Sequence, residues 1–125
     1  MSDLSNDREE VVAAVECTVR DPGDLTGYLG IAKEAKLRIE TLSTGSSTVL
    51  VQQEAYFTGF PALLSFKNRK FSFEGTEISE SLTSVSIDIQ GNFGSRSQGE
   101  FLFYFKDPSQ EALGSATLSD CARVL

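Results

Sequence analysis

Hydrophobic and polar residues alternate most cleanly over residues 84–106. Val85, Ile87 and Ile89 are interleaved with Ser84, Ser86, Asp88 and Gln90, while Phe101, Phe103 and Phe105 are interleaved with Glu100, Leu102, Tyr104 and Lys106. A period of two puts successive side chains on opposite faces of a strand. With the glycine- and serine-rich residues 91–99 between the two runs, the pattern predicts a β-hairpin. The arms differ. Leu102 and Tyr104 are apolar on the face opposite the three phenylalanines, where a strand buried on one side only would be polar. The second face of that arm is therefore expected to be covered by a terminal segment, a helix or another subunit.

The same period recurs elsewhere. Val11, Ala13, Val15, Cys17 and Val19 share one parity and predict a first strand, ended by the turn signal Asp21-Pro22-Gly23-Asp24. Leu29 and Ile31, followed by Leu37, Ile39 and Thr41, predict a hairpin turning at Lys33-Glu34-Ala35-Lys36, with a single helical turn as the alternative. Thr44-Gly45-Ser46-Ser47 is a loop, and residues 48–58 form one imperfectly alternating run that Gly59 and Pro61 interrupt. Leu64 and Phe66 face Phe71 and Phe73 across Lys67-Asn68-Arg69-Lys70, a second hairpin, and Glu74-Gly75-Thr76-Glu77 is expected to turn the chain. Residues 1–9 are flexible or a short helix capped by Asn6. Pro108 opens a helical turn, and the residues after it form a last strand or a terminal helix.

Roughly seven to nine short strands, with at most one or two short helices, describe an all-β fold: an antiparallel β-sandwich or small barrel. The 125 residues, 40% of them hydrophobic and nine of them Phe, suffice for one packed domain over residues 1–125. A net charge of −7 argues against nucleic acid as a partner, because such binding rests on Lys and Arg displacing counterions. No run of apolar residues is long enough to cross a bilayer, and the first residues carry no basic and apolar signal pattern. A cytoplasmic setting is the expectation, with a virion or signal-independent secretion left open. Cys17 is expected to be a buried, inert thiol. A Cys17–Cys121 disulfide, which would join the two ends of the domain, is the alternative that an oxidising setting would favour.

The chain has no histidine. That removes the usual general base and the commonest transition-metal ligand, and no cofactor motif takes their place. Carboxylate chemistry needs only two converging acids, but Asp88, Glu54 and Glu100 lie at positions whose parity points them to solvent. Asp21 and Asp24, joined by Asp107 or Asp120, could ligate calcium, although turn formation and capping account for the same aspartates. The chemistry-bearing residues thus point away from an enzyme and toward a non-catalytic interaction or structural module acting through protein–protein association or self-assembly, a homo-oligomer included. A carrier of a small apolar ligand in a barrel interior is the alternative. The expected partner-binding residues are Phe93 and Arg96, an aromatic and a guanidinium on a hairpin tip, and Leu102 and Tyr104 on the doubly apolar arm.

Overall fold

A computed structural model describes residues 10–23, 30–78, 84–93, 98–106 and 112–125. Nine antiparallel strands form one sheet: β1 (Val11–Asp21), β2 (Lys36–Leu42), β3 (Ser47–Val51), β4 (Glu54–Phe60), β5 (Ser65–Lys67), β6 (Lys70–Ile78), β7 (Ser84–Asn92), β8 (Gln98–Lys106) and β9 (Ala112–Arg123). Their order is β4-β3-β2-β1-β9-β8-β7-β6-β5. The chain thus makes one meander from β1 to β4 and a second from β5 to β9, and β1 and β9 join the two. No helix occurs among the described residues, as expected of a β-sandwich or small barrel-like fold.

One core runs through both meanders. Phe60, Phe73, Phe101, Leu37, Ile39, Ile87, Ile89, Leu118, Val15 and Val19 are fully buried, and the parity that sends them inward leaves Lys70, Ser72, Glu74, Gln90 and Glu100 exposed on the outer face. Phe60 of β4 meets Phe73 of β6 with ring centroids 6.1 Å apart, so the two ends of the sheet curl toward one another. Buried hydroxyls fix the crossing segment there. The Ser47 hydroxyl donates to the Ala62 carbonyl, the Thr41 and Ser47 hydroxyls lie 2.9 Å apart, and the Leu64 amide donates to Thr41 Oγ1 at 2.9 Å. On the opposite side of the sheet, Arg38 bridges Glu16 and Glu40 at 2.6 Å each. The hydrogen bond it donates to Glu40, then that to Glu16, holds its guanidinium pKa above the ordinary value.

Two of the three predicted hairpins form. β5 and β6 turn at Asn68 and Arg69, and β7 pairs with β8 from Ser84↔Lys106 to Gly91↔Gly99. Three expectations are corrected. Among the described residues no strand precedes Lys36 after β1, and β2 pairs directly with β1 while Ile31 and Ala35 plug the core from a loop. The run over residues 48–58 is two strands, folded at Gln52 and Gln53, whose φ angles of 54° and 69° make a two-residue turn without glycine. Glu74-Gly75-Thr76-Glu77 is not a turn but the middle of β6. Gly75 is there for space: a Cβ on it would lie 2.8 Å from Ala62 Cβ and 2.9 Å from Phe60 Cε2.

Cys17 and Cys121 are bonded, so Cys17 is not a free thiol. The pairing depends on a bulge. Val19 pairs with Leu118 and Thr18 with Ser119, but Glu16 pairs with Ala122, so one extra residue is accommodated opposite Cys17. Asp120 takes it up at φ 53°. Ala116 and Leu118 face inward at even positions. The bulge shifts the parity, so Cys121 turns inward in place of Asp120, which stays exposed.

Gly75→Val is expected to lower stability by about 1–3 kcal/mol in urea melts, since the close approach leaves no room for a side chain. Reduction of the disulfide, which closes a loop with a separation of 104 residues, is expected to cost about 2–5 kcal/mol by the same measurement.

Candidate functional site

The hairpin tips at one end of the β5 to β8 sheet are joined. The Phe93 amide donates to the Arg69 carbonyl at 2.8 Å, linking the tip after β7 to the tip between β5 and β6. Asn68 and Arg69 both adopt left-handed backbone, at φ 52° and 62°, which makes the tight two-residue turn that brings Phe66 opposite Phe71. Phe93 stacks on Phe71 with centroids 5.4 Å apart and an interplanar angle of 20°, and lies 6.2 Å from Phe66. The guanidinium of Arg123 sits 3.8 Å above the Phe66 ring, a cation–π contact from β9. The Asn92 side chain accepts the Gln98 amide at 2.7 Å and closes the base of the loop.

Phe93 is therefore half-buried against the core, so it anchors the tip as well as lining it. Arg96 falls outside the described residues. Leu102 and Tyr104 belong to β8, whose backbone pairs them with Asp88 and Ser86 on one side and with Ser115 and Ala112 on the other. The three of the four expected residues that are described are thus divided between the tip, Phe93, and the strand interior, Leu102 and Tyr104. The basic tip of the second predicted hairpin carries Lys67, Arg69 and Lys70, three cations within four positions of an acidic chain. All three are exposed and none joins an ion pair among the described residues.

Beside the tips, the outer face of β5 to β8 holds an open depression of about 910 Å³, lined by Lys67, Lys70, Ser72, Gln90, Gln98 and Glu100 among others. The acids gather further along the same strands. Glu74 pairs directly with Asp88, and Glu100 pairs with Gln90. Burial first, then Glu74 and Glu100, raise the Asp88 carboxyl above the usual carboxylate range. Glu54, in β4, lies in the other meander.

Among the described residues Glu74 and Asp88 line a second open depression together with Gly75, Thr76, Ser86 and Ile87. No group of three or more His, Cys, Asp or Glu able to hold a metal occurs among the described residues. Asp21 Oδ1 accepts the Gly23 amide at 3.0 Å, an Asx turn, while Asp24 and Asp107 lie outside the described residues. No described helix is long and apolar enough to cross a membrane. No family model, curated protein or solved structure matches the chain.

A raised carboxyl pKa means that the native state holds the proton more tightly than the unfolded chain. The associated stability is complete below the unfolded value and is lost as pH rises through the native one. Asp88→Asn is therefore expected to stabilise the protein at neutral pH and to have no effect in acid below about pH 3.5. Because the group is partly exposed, the gain should stay under about 1 kcal/mol. Urea melts at the two pH values measure the difference.

Proposed function

We propose that this chain is a non-catalytic all-β interaction or structural module that works through protein–protein association or self-assembly. The observation that supports it best is the platform at the joined hairpin tips. There Phe93 is anchored on Phe71 and tied to Arg69, and the exposed cations Lys67, Arg69 and Lys70 have no anionic partner among the described residues. Aromatic and arginine side chains held on a firm base are the groups from which protein interfaces draw most of their energy. A rigid tip also loses little conformational freedom on binding. Arg96, in the same glycine- and serine-rich stretch of the sequence, is a further expected contact residue.

On this reading the partner is a protein, a second copy included, rather than a nucleic acid or a membrane. The cytoplasmic setting expected from the sequence sits poorly with the Cys17–Cys121 bond. A virion or signal-independent secretion accommodates it better, because disulfides persist where thiols are not kept reduced.

The test is association measured by light scattering across a concentration series, together with recovery of a defined complex from the source. Arg69→Ala and Arg96→Ala are expected to weaken association several-fold while leaving the melting temperature nearly unchanged. Phe93→Ala should weaken association and also cost about 1–2 kcal/mol of stability, because its stacking on Phe71 is lost. A protein that stays monomeric at high concentration, and from whose source no partner is recovered, would overturn the reading.

A further inference from the structure

The outer face of β5, β6 and β7 carries two bands of charge. Lys67 pairs directly with Lys70 across β5 and β6, and Glu74 pairs directly with Asp88 across β6 and β7. Each is a like-charge cross-strand pair, an arrangement that repels itself. Neither band joins an ion pair among the described residues, where the ion pairs are those of Arg38 with Glu16 and Glu40. Between the bands lies the neutral pair Ser72–Gln90, and Glu100 of β8 continues that row beside Gln90. Lys70 and Glu74 are four residues apart on one strand, about 13 Å, so the positive and negative bands are equidistant from the Ser72–Gln90 row.

Resting on the reading of the chain as an association module, we infer that this face binds a second copy of itself as a two-fold symmetric dimer. The Lys67–Lys70 band of each protomer meets the Glu74–Asp88 band of the other. The bands are offset by one strand spacing over about 13 Å, so a two-fold axis lying in the interface through Ser72, inclined by about 20° to the Ser72–Gln90 row, turns one face onto the other and reverses direction along the strands. One operation then brings both pairs of opposite bands together, which is the self-complementarity an isologous interface requires. The repulsion stored in each band becomes attraction across the dimer. The β8 positions paired with Asp88 and Ser86 are Leu102 and Tyr104, so the dimer would also place a second chain along the arm whose sequence called for cover on both faces.

Sedimentation equilibrium of the full chain tests this at low and high salt. The wild type is expected to dimerise, with affinity falling as salt rises. The variant K67E/K70E and the variant E74K/D88K are each expected to raise the dimer dissociation constant about tenfold or more. Mixing the two variants should restore dimers, because one face is then wholly acidic and the other wholly basic. Restoration on mixing also shows that both variants are folded, whereas failure to restore dimers from variants with native circular dichroism overturns the inference. A chain that associates as tightly in both variants as in the wild type overturns this geometry and leaves the association reading standing. A wild type that remains monomeric alone but binds a different protein through its tips has the same consequence. A monomer with no partner at all removes both.

Discussion

Four residues, 61–64, connect β4 to β5, and those two strands stand at opposite ends of the sheet order. Laid flat, nine strands would separate them by eight spacings, about 38 Å, whereas the five backbone steps from Phe60 to Ser65 reach about 18 Å at most. The sheet must therefore curl until its ends meet. Much else follows from that closure. The crossing segment passes over β6, so Gly75 must lack a side chain. Its backbone is taken away from any strand neighbour, so the hydroxyls of Thr41 and Ser47 supply the hydrogen bonds that the Ala62 carbonyl and Leu64 amide would otherwise lack once buried.

On the far side of the sheet the two meanders meet along β1 and β9. A one-residue bulge at Asp120 decides what that seam contains. With regular alternation the carboxylate would face a core lined by Val15, Val19 and Leu118, and Cys121 would face outward. The left-handed backbone at Asp120 exchanges them and sets Cys121 beside Cys17. The cost of one strained residue is small beside that of burying an unpaired acid.

Elements governed by alternation could be read directly. The inward positions of β1, β6 and β7, and Phe101 of β8, are those that the period of two selects, and the turn at Asn68 and Arg69 lies where polar residues interrupt it. Elements governed by distant packing could not. Gly75 looks like a turn residue because the reason for it is Phe60 and Ala62, far away in the chain and near in space. Gln52 and Gln53 hold a turn against their own preferences because β3 and β4 pair on either side. At the candidate site, an aromatic in a glycine-rich stretch was visible at Phe93, but its stacking on Phe71 depends on the Arg69 carbonyl that receives its amide. The charge bands were hidden for a related reason: Lys67 with Lys70 and Glu74 with Asp88 become neighbours only once register is known.

The position of β9 between β1 and β8 also bears on the order in which the fold can be completed. Each meander is local in sequence and can pair its own strands as soon as they have been synthesised. β1 and β8, however, each keep an open edge until the ninth strand is available. Contacts between strands about a hundred residues apart are slow to find, because the loop-closure entropy comes before the reward. Until that single strand seals both, the chain consists of two half-built sheets, each with a long unpaired margin.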